Sequence, residues 1–270
     1  MSRPELPLVV EPDALQQHIG DPAILIVDLS KPGVYAQYHI PGAVHLDYAE
    51  IITARPPVMG LLPDAAALGK TLSTLGITPN HHVVAYDEEG GAKACRFLWT
   101  LDVVGHPHHS LLNGGLHAWL NEHHVTNNQE PATNSSSYTV AITAAAQVDK
   151  AYILANLDNP SLVLLDTRSE AEYNGTDKRA NRGGHIPGAI NVDWARTTDR
   201  NNMRLRPEAE LRSMYEVLGV TRDKEIIAYC QTHHRSSHTY WVLRSLGYPN
   251  VKGYPGAWSE WGNSPDTPVE

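Results

Sequence analysis

The segment His39-Ile40-Pro41-Gly42-Ala43 returns letter for letter as His185-Ile186-Pro187-Gly188-Ala189, 146 positions later. Chance produces such a repeat on the order of one time in a hundred at this length. Its neighbours repeat at similar offsets. Ile24 to Asp28 matches Leu162 to Asp166, Leu75-Gly76-Ile77-Thr78 matches Leu218-Gly219-Val220-Thr221, and Gly114 to Trp119 resembles Gly253 to Trp258. The chain therefore reads as two duplicated domains. Between them Asn127 to Ser137 is polar, lacks periodicity and carries Pro131, which predicts an exposed linker. The expected division is residues 1–126, a linker at 127–147 and a second domain at 148–270.

Each half alternates short apolar runs with stretches of helical spacing. That pattern predicts an α/β fold with a parallel sheet and helices on both faces. In the second half the strands are expected at Leu162 to Asp166, Ile190 to Val192, Glu225 to Cys230 and Val251 to Tyr254. Helices are expected at Pro207 to Gly219, bounded by proline and glycine, and at Ser236 to Gly247, with Tyr240, Leu243 and Leu246 on one side. Open parallel sheets bind ligands beyond the carboxyl ends of their strands, which directs attention to the turn after Cys230.

Composition narrows the class of partner. Lys and Arg number 21 against 30 Asp and Glu, and the net charge of −9 repels a phosphate backbone, so nucleic acid is not expected. Apolar runs such as Ala23 to Val27 are too short to span a bilayer, and Met1-Ser2-Arg3-Pro4 does not open like a signal peptide, so a cytoplasmic protein without a membrane partner is expected. With 2 cysteines, the chain has neither a disulfide framework nor a zinc site of several thiolates.

One of those thiols sits in a loaded position. Cys230 ends an apolar run, and Gln231-Thr232-His233-His234-Arg235 carries the chain into a helix. Successive N–H groups in such a turn point inward as an anion-binding nest, and the helix start places partial positive charge behind them. Cationic neighbours, Arg235 and with it His233 and His234, favour the thiolate, the nucleophilic form of cysteine. A strand-end cysteine can instead be a small buried hydrophobe, but that does not explain five polar residues before a helix.

At this loop the chain resembles the rhodanese family of sulfurtransferases in its tandem form. The likeness rests on Cys230 in a six-residue loop ending at Arg235, the two His-Ile-Pro-Gly-Ala segments, and Gly253-Tyr254-Pro255-Gly256-Ala257-Trp258. The resemblance implies a catalytic second domain and a silent first one. Val83-Val84-Ala85-Tyr86-Asp87 lines up with Ile226-Ile227-Ala228-Tyr229-Cys230, so Asp87 stands where the thiol would be. It further implies that Cys230 takes the outer sulfur of thiosulfate, releases sulfite, and passes the sulfur from a covalent persulfide to cyanide, a dithiol or a sulfur-accepting protein, with no other cofactor. A preorganised loop donor is worth about 3 kcal/mol to such an anion. Arg235 is the expected sulfonate ligand through its planar fork, its other possible role being to pair with an acid and brace the loop. Thiosulfate-preferring members often carry Arg and Lys after the cysteine, and mercaptopyruvate-preferring members Gly and Ser. Gln231 and Thr232 fit neither pattern, so cationic recognition falls to Arg235 or to arginines outside the loop. The segment Arg179-Ala180-Asn181-Arg182 sits where the resemblance places a substrate-binding arginine in some members, which makes Arg179 a second candidate, its other reading being part of an exposed basic loop. Asp166 and Arg168 are expected to form a structural pair near the same rim.

Other features are read as structural. Cys95 does not align with Cys230 and is expected in the core, and Trp119 and Trp258 as packing anchors. His81-His82, His106 to His109 and His123-His124 are expected on the surface, without the carboxylate or thiol partners of a metal site. His39 and His185, equivalent in the two halves, are expected to share a structural task. Two other functions compete: a persulfide carrier serving protein or dithiol acceptors, and a cysteine-dependent phosphatase. The second needs one more residue between Cys and Arg than the four found here.

Overall fold

A computed structural model of the chain describes residues 5–132 and 134–270. The opening Met1-Ser2-Arg3-Pro4 and Thr133 of the polar stretch lie outside the described residues. The strands in chain order are β1 (Val9–Val10), β2 (Ile24–Asp28), β3 (Val44–His45), β4 (Thr53–Arg55), β5 (Val58–Leu61), β6 (His82–Tyr86), β7 (His109–Leu112), β8 (Leu162–Asp166), β9 (Ile190–Asn191), β10 (Glu225–Tyr229) and β11 (Val251–Gly253). One sheet has the order β1-β7-β6-β2-β3 and another β11-β10-β8-β9, and every pairing in both is parallel. A bridge from Gln147 to Gly253 continues the second sheet at the place that β1 holds in the first. The architecture is the duplicated α/β arrangement that the repeats predict. Among the described residues, no helix is long and apolar enough to cross a membrane.

The repeated pentapeptide has a backbone reason. Ala43 N–H donates to the Ile40 carbonyl at 2.9 Å and Ala189 N–H to Ile186 at 3.0 Å, with Gly42 at φ +81° and Gly188 at φ +73°. Proline then glycine at the two central positions, with positive φ at the second, is what a type II turn demands. The histidine before each turn is anchored alike. His39 stacks on Tyr35 at 4.0 Å and His185 on Tyr173 at 3.7 Å, each with Nδ1 against its partner's carbonyl oxygen. Both isoleucines are fully buried, in clusters that also hold equivalent residues from both halves: Ile26 and Leu164, Val84 and Ile227, Trp119 and Trp258. The expected shared task of the two histidines and the packing role of the tryptophans are what the structure shows.

Two details differ from the sequence-based division. The compact units are discontinuous: Ile52–Leu62, with β4 and β5, belongs to the second unit, and Asp199–Leu205 to the first. The cause is local bonding. Met59 N–H donates to Ser259 Oγ at 3.2 Å, and Leu205 N–H donates to Asn113 Oδ1 at 2.9 Å. The expected linker is also tied down, since its stretch up to Thr143 belongs to the first unit. Asn127 exchanges two backbone hydrogen bonds with His39, Ser136 N–H donates to Ser73, and Thr143 N–H to Val103. Its side chains are mostly exposed, as polar residues should be, while its backbone bonds hold it to the unit.

Candidate active site

Chain order in the second sheet runs from β8 outward to β9 and then returns to β10 on the other side of β8. The direction of winding therefore reverses between β8 and β10, the place where open α/β sheets leave a crevice at their carboxyl ends. Tyr229 closes β10 opposite Asp166 at the end of β8, and Cys230 is the next residue. The thiol stands one residue beyond the strand rather than within it.

Gln231 to His234 lead directly into the helix Arg235–Ser245, one residue earlier than its predicted start. His233 adopts the left-handed conformation, φ +58°, and His234 returns to the right-handed region. That alternation turns successive N–H groups to one side. Cys230 is almost fully buried. Ser236 Oγ donates to its sulfur at 3.4 Å and lies 2.7 Å from His233 Nδ1. The helix is more deeply buried than a one-sided apolar face predicts: Ser236 to Leu243 are all buried, polar members included. Of the loop residues, His233 is fully buried and Gln231, Thr232 and His234 are partly exposed. Beside the loop, a Cβ on Gly60 of β5 would fall 2.0 Å from the Thr232 carbonyl oxygen, so only glycine allows that approach.

The cations around the loop separate by task. Arg235 places both terminal nitrogens on Glu172, at 2.6 and 2.7 Å, so the brace that its fork could form is made. Burial opposes the charge on both partners. The paired hydrogen bonds overcome it, raising Arg235 above its ordinary value and holding Glu172 down at about 2. Cys230 adds to the rise at Arg235, so the guanidinium lies within electrostatic reach of the sulfur. Arg179 lies at the rim, with 53% of its side chain exposed, paired with Asp177 and 3.6 Å from Glu172, and its carbonyl accepts from Gln231 Nε2 at 3.0 Å. Arg182 is spent on the carbonyls of Trp261 and Thr267 and is structural. Arg168 clamps Asp166, lies over the Trp258 ring at 4.5 Å and donates to Gly184, which makes it the structural pair expected. Glu172 is the site residue that the sequence reading passed over. Ser169-Glu170-Ala171-Glu172 is a capping box that could have marked it, and both of its hydrogen bonds are formed.

The first half shows what such a turn holds. Asp87 is buried, and its two carboxylate oxygens accept from the backbone N–H groups of Glu89, Gly91, Lys93 and Ala94, at 2.8 to 3.0 Å. Gly90 takes the left-handed conformation that His233 takes in the second half. The nest there is filled by the chain's own anion.

Cys95 is fully buried, and burial, then the Asp87 charge, pushes its thiol well up, as a core cysteine requires. The expectation of surface histidines is corrected for His82, His106 and His109, which are buried. Polar groups in the same unit make that possible: His82 Nε2 meets Ser110 Oγ at 2.7 Å, His106 Nδ1 meets the Tyr138 hydroxyl at 2.9 Å, and His109 lies 3.3 Å from Asp102. His124 does have carboxylate neighbours, Asp13 at 3.3 Å and Glu122 at 3.6 Å, although Glu122 is also held by Arg204.

Comparison with known proteins agrees with this geometry. The family model for the rhodanese-like domain matches twice, at residues 11–122 and 149–264. A thiosulfate sulfurtransferase of Pseudomonas aeruginosa is 44% identical over 98% of both chains. The sulfur carrier protein TtuD of Thermus thermophilus is 32% identical over 97% of this chain and 96% of its own. Among solved structures, the 3-mercaptopyruvate sulfotransferase SseA of Escherichia coli superposes with a TM-score of 0.83 at 30% identity, covering 94% of this chain and 99% of that one. The chain belongs to the rhodanese family, as a tandem of two rhodanese-like domains, and falls among its sulfurtransferases.

Proposed function

We propose that the chain moves sulfane sulfur from thiosulfate to a thiophilic acceptor such as cyanide, through a persulfide on Cys230 and without a cofactor or metal. The observation that carries this reading is the substitution at one strand tip. Where the first half places a carboxylate accepting four backbone N–H groups, the second places a thiol. A nest built for an anion suits both a thiolate and a persulfide, which are anions at the same position.

The Cys230 thiolate attacks the outer sulfur of thiosulfate. The S–S bond of the donor breaks, and sulfite departs with its electron pair. Cyanide then attacks the outer sulfur of the persulfide, and thiocyanate leaves as the electron pair of the cleaved bond returns to the Cys230 sulfur. The loop from Gln231 to Arg235 supplies the cradle. Arg235, held by Glu172, contributes charge and fixes the start of the helix rather than opening its fork to the donor. Arg179, exposed at the rim, would exchange its pairing with Asp177 for the sulfonate oxygens of the donor. The relative named thiosulfate sulfurtransferase supports thiosulfate as donor.

A second reading, delivery of the persulfide sulfur to protein or dithiol acceptors, is favoured by the relative named a sulfur carrier protein. The rates at which cyanide, dithiols and protein acceptors discharge isotopically labelled persulfide separate the two. For the reaction itself, Cys230→Ser abolishes sulfur transfer from thiosulfate to cyanide, whereas Cys95→Ser leaves it within about two-fold, because Cys95 is buried in the core of the other unit. Comparable losses in the two variants would refute the assignment. Intact-mass measurement after thiosulfate treatment should show one added sulfur that cyanide removes.

A further inference from the structure

Resting on the persulfide reading above, we infer that Ser236 is a positioning residue that governs the second half of the reaction, by donating its hydroxyl to the Cys230 sulfur as that sulfur becomes the departing thiolate. The geometry is on two links. Ser236 Oγ donates to Cys230 Sγ at 3.4 Å, and His233 Nδ1 stands 2.7 Å from Ser236 Oγ. A hydroxyl has one hydrogen. With that hydrogen committed to the sulfur, the oxygen can only accept from His233, so Nδ1 carries a hydrogen and orients the hydroxyl. All three groups are buried, which keeps water from replacing either link. The left-handed backbone at His233 is the conformational cost of this placement, since a β-substituted residue rarely stays there unless its surroundings hold it.

The equivalent half lacks the device. Ser236 aligns with Lys93, whose ammonium is turned to Glu88 and Glu89 at 3.2 and 3.4 Å, and among the described residues the hydrogen bonds to the anion in that nest come from four backbone N–H groups. The hydroxyl accompanies the thiol and is absent beside the carboxylate.

The chemistry makes the hydrogen bond act unequally on the two steps. In loading, the Cys230 sulfur begins as a thiolate and loses its charge as it bonds to the outer sulfur, so a donor to Sγ stabilises the starting state. In discharge, the bond between Sγ and the outer sulfur breaks and Sγ receives the electron pair, so the same donor stabilises the developing charge. A thiolate held by a hydrogen bond leaves faster and attacks more sluggishly. No proton, oxidant or reductant is consumed in either step, and the Ser236 hydrogen stays on its oxygen throughout.

Single-turnover kinetics on the full chain tests this. Loading is followed as sulfite released from thiosulfate, and discharge as thiocyanate formed from preloaded protein. In Ser236→Ala, discharge is expected to slow about ten-fold, while loading changes by less than about three-fold. Ser236→Thr, which keeps the hydroxyl, should bring discharge back to within about three-fold of the unaltered protein. Equal slowing of both steps, or an unchanged discharge rate, overturns the inference and leaves the persulfide reading standing. If the unaltered protein itself never gains a sulfur, the persulfide reading falls and the inference falls with it. Should the alanine variant fail to fold, the threonine variant decides the matter: an altered ratio of discharge to loading despite an intact hydroxyl would overturn the proposal.

Discussion

Asp87 and Cys230 occupy equivalent strand tips, and the difference between them is chemical rather than architectural. A carboxylate fits the nest because two oxygens can share four inward N–H groups. It also offers no thiol at that position, and its charge repels an anionic donor. This bonding makes Asp87 a stabilising residue of the first unit. Asp87→Asn replaces an acceptor oxygen by an NH2 group that faces N–H donors, leaving buried donors unsatisfied. The expected loss is roughly 3 kcal/mol of unfolding free energy, read from denaturant midpoints, with sulfur transfer per folded molecule unchanged. Alignment identified Asp87 as the residue replacing a thiol. That its oxygens fill the nest is a property of the folded backbone, because N–H directions leave no mark in a sequence.

At the scale of elements, the loop from Cys230 to Arg235 is held from three sides. The helix Arg235–Ser245 continues it, Glu172 receives its arginine, and the Thr232 backbone packs against Gly60 of β5. The last contact is the least forgiving, since no rotamer relieves a clash between a Cβ and a carbonyl oxygen. Gly60→Ala should displace the loop by a substantial fraction of an ångström and lower kcat/KM for sulfur transfer about 100-fold, while far-ultraviolet circular dichroism stays native. Retention of full activity would show that the loop does not depend on this contact. The helix itself was legible from its spacing and its glycine stop. Its full burial was not, because Ser236, Ser237 and His238 are polar, and their burial makes sense only once their partners His233, His234 and Thr197 are in view.

At the scale of the whole molecule, two buried groups divide the response to acid between the units. His106 of the first unit is pushed down from 6.5 to about 4, chiefly by burial and then by His109, with the Tyr138 hydroxyl and the His81 carbonyl as its neighbours. The unfolded chain therefore protonates this histidine before the folded one does, and stability falls as pH drops from 6.5 toward 4. Glu172 of the second unit has the opposite charge type but gives the same direction. Burial works against its ionised form, and Arg235 more than compensates, moving it from 4.5 to about 2. Its stabilisation is complete above 4.5 and is lost as pH falls toward 2. Each window should carry about 3 kcal/mol. In Glu172→Gln, the slope of unfolding free energy against pH should flatten between 4.5 and 2 and persist between 6.5 and 4. Flattening in both windows, or in neither, would contradict this division.

The sequence by itself determined the duplication, the parallel α/β halves, the strand-tip thiol and the carboxylate at the equivalent position of the first half. These follow from short-range patterns: apolar runs, proline and glycine at a turn, a polar loop between a strand and a helix. Only tertiary structure decided which acid Arg235 meets, which hydroxyl touches the sulfur, and that Ile52–Leu62 and Asp199–Leu205 each belong to the opposite unit. Glu172 and Arg235 are 63 positions apart, and Gly60 and Thr232 lie farther still. Hydrogen bonds and close approaches are fixed by distances in space, and a chain that folds back on itself makes those independent of distance along it.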